Sequence, residues 1–314
     1  AGCVRGVDTA GGTAATCSDD GTVVVWALPG AAAAAGALPP YAPTQVCRAE
    51  RKEAGAPLCV ALAPAHGGLM LSGWEDGVVR AHVLGGPVAP AWVIPGAHVQ
   101  PSATGVTALA VAARSPLLLT GGAGGEVRLW DLRSRVMASH MKQHGGAVTG
   151  LAMLSDDVHA VASSADRSWS LWDVLQGTCR ASWRTPSKLN GIAVLPDQLS
   201  VVLGCQDGSA AFFDIRSPQL VRALPKAHAG EVTAVATDAT GRLLATGGTD
   251  GGVRLWDVAS GRAVAAGTCH TAPVAKVAFT AEGWDAQSPA PRQVALVSVS
   301  LDGTVAAWHM PWPL

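Results

Sequence analysis

A chain of 314 residues that is 49% hydrophobic and only 14% charged has ample material for a packed core and too little charge for disorder. Its net charge of −1 argues against nucleic acid as a partner, and its Gly-broken apolar runs fall short of the roughly 18 residues a membrane span needs. The seven cysteines form no C-x-x-C pair and read as small core residues in a reducing compartment, neither a disulfide framework nor a zinc site.

The chain begins at Ala1, without an initiator Met or a signal-like apolar segment, and so reads as a piece of a longer protein. Cys3 to Thr9, Thr13 to Ser18 and Thr22 to Ala27 are three short strands, with Asp20 six residues before Trp26. Residues 29–45, Ala-rich and containing Pro39-Pro40, predict a low-complexity surface loop. Arg48, Glu50, Arg51, Lys52 and Glu53 then read as a solvated loop or edge strand. A second unit has strands at Leu58 to Leu62 and Leu69 to Ser72, with Asp76 in place, but it ends on His82 where Trp is expected.

The third unit is marked by His98, Thr120 and Trp130, with Gly124 where the Asp should stand. The fourth carries His144, Asp166 and Trp172, with Ala162 in the hydroxyl place. The fifth has no leading His, puts Leu203 in the hydroxyl place and ends in Phe213-Asp214, six residues after Asp207; packing alone is expected to hold it. The sixth, His228 to Asp257, is the fullest: small and β-branched residues alternate from Val232 to Thr237, Leu243 to Thr246 form a second strand, and Asp250-Gly251-Gly252 turns into a third. The seventh holds His270, Ser298, Asp302 and Trp308, with an insertion at 281–292 that contains Trp284. Only six residues follow Trp308, so the last unit is expected to lack its outer strand, which would lie upstream of Ala1.

Units thus end at 26, 82, 130, 172, 213, 256 and 308. Spacings near 40–45 residues with Trp-Asp endings are the period of four-stranded propeller blades. The expected fold is all-β: a single seven-bladed propeller over 1–314, four antiparallel strands per blade, the last blade incomplete. One blade cannot cover its own apolar faces, so neighbours must stack. His, Asp and Ser/Thr recur together from unit to unit, and recurrence is the mark of structure, not of a catalytic triad. There is no G-x-S-x-G, no phosphate loop and no H-E-x-x-H, and Asp156-Asp157 reads as a solvated turn. No catalytic, cofactor or metal residues are expected.

The stretch 228–257 resembles a WD40 repeat. In that family the Trp indole bonds the Ser/Thr hydroxyl, the hydroxyl bonds the His, and the His bonds the turn Asp. The resemblance implies structural networks at His228, Thr246, Asp250 and Trp256, at His270, Ser298, Asp302 and Trp308, and at His144, Asp166 and Trp172. It also implies partner contacts from residues before the innermost strands and in the turn before the third: Trp74, Glu75, Arg167, Lys188, Asn190 and Gln206, with Trp284 in its Pro-rich loop as a further anchor. The runs GGAGGEVRLWDL at 121–132, MKQHGGAVTGLAM at 141–153, ASSADRSWSLWDV at 162–174, TGGTDGGVRLWDV at 246–258 and VSVSLDGTVAAWHMPWP at 297–313 are similar to the C-terminal propeller of the cilia- and flagella-associated WD-repeat proteins of axonemal doublet microtubules. That implies a non-enzymatic architectural component of the cytoplasmic, ciliary or flagellar axoneme. Its partners would be tubulin and neighbouring axonemal proteins, with no nucleic acid, membrane or small-molecule substrate. The other reading is a substrate-adaptor or assembly subunit of a ubiquitin-ligase or methyltransferase complex. One Tyr and three Phe make an aromatic-cage reader less attractive.

Overall fold

Strands of small and β-branched residues, joined by tight turns, pair into meanders whose two faces are both apolar and must be covered by neighbours. The computed structural model describes residues 2–28, 43–48, 55–100, 103–217, 219–280 and 292–312, and it contains seven antiparallel sheets, six of four strands in sequential order and one of three. Blade six shows the plan, with Val232–Thr237 innermost, then Leu243–Gly248, Gly252–Asp257 and Ala263–Thr268 at the rim. Its second strand is buried throughout, whereas the rim strand is exposed at intervals. The chain is a seven-bladed β-propeller.

Each blade boundary carries its own apolar cluster among the described residues. The ring closes where Val4 and Val7 of blade one pack on Val297 and Val299 of blade seven, and Thr9 Oγ1 donates to the Phe279 carbonyl at 2.5 Å. Blade seven consists of Val274–Phe279, Arg292–Ser300 and Val305–Trp312. Among the described residues it has three strands, and Val305 is 40% exposed, where Val253 at the corresponding position of blade six is 4% exposed.

A bulge after the first residue of the innermost strand turns the next side chain toward the following blade. Thr107 Oγ1 donates to the Val148 carbonyl at 2.7 Å, Asn190 Nδ2 to the Val232 carbonyl at 3.1 Å, and Thr233 Oγ1 to the Val274 carbonyl. At the other end of the ring, Asp157 of blade four accepts the backbone N–H groups of Ala113, Arg114 and Ser115 in blade three.

Two expected boundaries change. Pro43–Arg48 is the outer strand of blade one, so the segment expected as a loop over 29–45 stops before Pro43. The reason is burial of two alternate side chains: Cys47 enters the core between blades one and two, and Gln45 Nε2 donates to the Val83 carbonyl at 3.1 Å while its Oε1 accepts the Gly85 N–H at 3.1 Å. Arg292 begins a strand, not the end of an insertion. Residues 29–42, 49–54 and 281–291, Trp284 among them, lie outside the described residues.

Candidate functional site

The candidate partner face is the end of the ring where second strands turn into third strands and outer strands lead into the next blade. In blade six, His228 Nδ1 lies 2.8 Å from Asp250 Oδ1, its Nε2 lies 2.8 Å from Thr246 Oγ1, and that oxygen accepts Trp256 Nε1 at 2.9 Å. Donors and acceptors balance only for a neutral imidazole protonated at Nδ1: Trp to Thr, Thr to His, His to Asp. Burial lowers the His228 pKa and so favours that neutral form. Burial would raise the Asp250 carboxyl, but bonds from His228 and from the Ala229 and Gly252 N–H groups outweigh it and hold its pKa low. Gly248 has no Cβ because the His228 ring lies against it, and the left-handed turn at Gly251 completes the corner.

Other blades reach the same balance with different atoms. In blade four, His144 Nδ1 bonds Ser168 Oγ at 2.8 Å, and Ser168 in turn donates to Asp166 Oδ1 at 2.5 Å, leaving His144 and Asp166 3.7 Å apart. Blade seven is built alike: His270 Nδ1 meets Thr304 Oγ1 at 2.6 Å, Thr304 bonds Asp302, and His270 stays 3.9 Å from Asp302. There His270 Nε2 lies 2.7 Å from Ser298 Oγ, which accepts Trp308 Nε1 at 2.8 Å. The triplets Ser164-x-Asp166-x-Ser168 and Ser300-x-Asp302-x-Thr304 carry this relay, a signal in the sequence that the expected quartets passed over. In blade three, where Gly124 stands in the Asp place, Glu126 faces His98 Nδ1 at 3.3 Å and Arg128 at 2.9 Å.

The hydroxyl also moves. Ala162 of blade four is opposite Ser170 in the ladder, and Ser170 Oγ takes both roles, 2.8 Å from His144 Nε2 and 2.7 Å from Trp172 Nε1. Blade five has Thr185 at the leading position and sets Phe213 against an aromatic pair of blade four: Trp169 stacks on Trp183 at 4.2 Å between centroids and leans on Phe213 at 5.6 Å.

Among the partner candidates, Trp74 is corrected by the structure. It is 1% exposed, packs in the core between blades one and two, and donates from Nε1 to Ser72 Oγ at 2.9 Å. With His82 in the Trp place, Trp74 supplies the indole for the blade-two hydroxyl, which draws it inward. His82 itself is buried with neither ring nitrogen bonded. Glu75 is exposed and accepts the Ala56 N–H at 2.9 Å. Asn190 and Gln206 come together on one residue that sequence reasoning missed, Glu231, at 3.1 and 3.2 Å. The Lys188 carbonyl accepts the Gln206 N–H beside them, and Arg167 is exposed next to Thr185. Glu75, in blade two, is not part of this group. No three His, Cys, Asp or Glu side chains among the described residues are placed to hold a metal ion, and no helix is long and apolar enough to cross a membrane.

Comparison with known proteins agrees with this geometry. The model for the WD domain, G-beta repeat, matches residues 1–27, 95–131, 136–173 and 219–257. Cilia- and flagella-associated protein 52 of Bos taurus is 24% identical over 251 residues, covering 78% of this chain and 37% of that protein. Its counterpart in Chlamydomonas reinhardtii is 29% identical over 251 residues, covering 79% of this chain and 38% of that protein. The chain therefore spans little more than a third of the length of these relatives. Eukaryotic translation initiation factor 3 subunit I of Anopheles gambiae is 32% identical over 163 residues, 48% of this chain and 50% of that protein. The WD40 beta propeller domain of Doa1 superposes with a TM-score of 0.80 at 17% identity, covering 98% of this chain and 93% of that domain. Repeats matched in four blades and a ring of seven make the chain a WD40-repeat β-propeller that resembles cilia- and flagella-associated protein 52.

Proposed function

We propose that the chain is a non-enzymatic scaffold that holds proteins together in the ciliary or flagellar axoneme, on or beside microtubules. The observation that carries the non-catalytic half is the use of its titratable groups. His98, His144, His228 and His270 are buried, and each has both ring nitrogens bonded within its own blade, so none is free to move a proton to or from a substrate. The likeness to cilia- and flagella-associated protein 52 over most of the chain supports the axonemal half. Tubulin and neighbouring axonemal proteins are the partners this reading names.

The test is crosslinking with mass spectrometry on native ciliary material. Links from Lys188 or Lys226 to tubulin or other axonemal proteins are the expected outcome; links only to subunits of an enzyme complex refute it. That second result would favour the other reading, a substrate-adaptor or assembly subunit of a ubiquitin-ligase or methyltransferase complex.

A further inference from the structure

Six of the seven turns between second and third strands place glycine at the residue after the Asp position: Gly21, Gly77, Gly125, Gly208, Gly251 and Gly303, each with positive φ. Blade four places Arg167 there, at φ 69 and exposed. A left-handed arginine costs conformational energy that glycine would not, so blade four keeps a cation where six blades keep the cheaper residue. Lys226, in the link from blade five to blade six, is likewise exposed at φ 54.

These two do not stand alone. The Arg167 carbonyl accepts the Thr185 N–H at 2.8 Å, which brings the exposed Arg184 to the same end of the ring, and Lys188 follows in the same link. Lys142 ends the outer strand of blade three opposite Glu126, whose carboxylate is already held by Arg128. None of Lys142, Arg167, Arg184, Lys188 and Lys226 has a carboxylate partner among the described residues. The acids of the same sector are bonded elsewhere: Asp166 to Ser168, Asp207 to Ser209, and Glu231 to Asn190 and Gln206. On the other side of this face Arg5 is paired with Asp19, Arg80 with Asp76 and Arg254 with Asp250, while Arg48, exposed at the end of the outer strand of blade one, has no carboxylate partner among the described residues.

We infer that the sector of this face formed by blades three to five docks an acidic peptide segment of a partner protein, with Arg167 and Arg184 at its centre. This rests on the scaffold reading and adds the chemistry of the partner. Unpaired, solvated cations attract a flexible acidic segment over several ångströms, raise its association rate and lose that pull as salt screens it. The segment would lie across the junction of blades four and five, its carboxylates replacing the counter-ions that these five side chains lack.

The experiment is fluorescence anisotropy with a fluorescein-labelled oligoglutamate peptide, at about 0.05 M and about 0.3 M salt. The combined variant Arg167→Glu, Arg184→Glu and Lys188→Glu is expected to weaken low-salt binding by about tenfold or more. Reversing Arg114, Arg133 and Arg262, which lie in turns at the opposite end of the blades, is expected to leave it unchanged. Arg167→Gly supplies a second readout: a higher unfolding midpoint together with weaker peptide binding. Absence of low-salt binding, or an equal loss from the opposite-face variant, overturns the inference. If crosslinks to axonemal proteins persist while the peptide fails to bind, only the acidic docking is lost and the scaffold reading stands. If the peptide binds and no such crosslinks form, the scaffold reading fails instead.

Discussion

Replacing Ser170 by Ala isolates the polar network from the packing around it. Ser170 Oγ is buried and is bonded to both His144 Nε2, at 2.8 Å, and Trp172 Nε1, at 2.7 Å. Alanine removes one oxygen, leaves almost no void, and strands a buried imidazole nitrogen and a buried indole N–H. An unpaired buried group costs about 1–3 kcal/mol, so the pair predicts a loss of about 2–6 kcal/mol. Ala162 stands directly across the ladder, ten residues before Trp172, where the hydroxyl of blade six sits relative to Trp256. Adding Ala162→Ser to Ser170→Ala should therefore recover at least half of the loss. Urea unfolding followed by tryptophan fluorescence measures both variants. A loss below about 1 kcal/mol for the single variant, or no recovery in the double, would show that this oxygen does not join His144 to Trp172.

Trp74→Ala should cost about 3–5 kcal/mol in the same assay, while Trp74→Phe keeps most of the packing and should cost about 1 kcal/mol. Partner binding that depends on the Trp74 indole in a folded Trp74→Phe variant would contradict its place in the core. Burial lowers the pKa of His98, His144, His228 and His270 below the usual 6.5, so the folded chain resists protons that the unfolded chain accepts. Stability is complete above pH 6.5 and declines as pH falls below it; denaturation midpoints that stay level between about pH 7.5 and 5 would refute the buried neutral rings. Asp250 and Asp166, whose pKa values are held low, should add their own losses only as the pH drops below the ordinary carboxylate range. Asp157→Ala removes the acceptor for three N–H groups in blade three and should cost about 2–4 kcal/mol, with Asp157→Asn losing less because Asn tolerates the positive φ and keeps one acceptor. Equal losses from the two would mean that the acceptor oxygens are not what the site uses.

Much of the architecture was legible in the chain itself. Seven endings at intervals close to one blade, each followed or replaced in a regular way, implied seven sheets, because strand alternation and turn chemistry are local and repeat wherever the residues do. The polar networks were legible only in their fullest copy. A sequence offset names one residue, but a buried donor needs only an oxygen within about 3 Å, and two paired strands present several. Which of them serves depends on register and on the neighbouring blade. Ser170 thus stands in for Ala162, Ser168 and Thr304 come between His and Asp, Glu126 answers for Gly124, and Trp74 turns inward because His82 leaves an indole-sized place. The sector of unpaired cations belongs to the same category. Lys142, Arg167, Arg184, Lys188 and Lys226 are scattered over 85 positions of the chain and share one face only because antiparallel meanders return every second-to-third turn and every blade link to the same end of the ring.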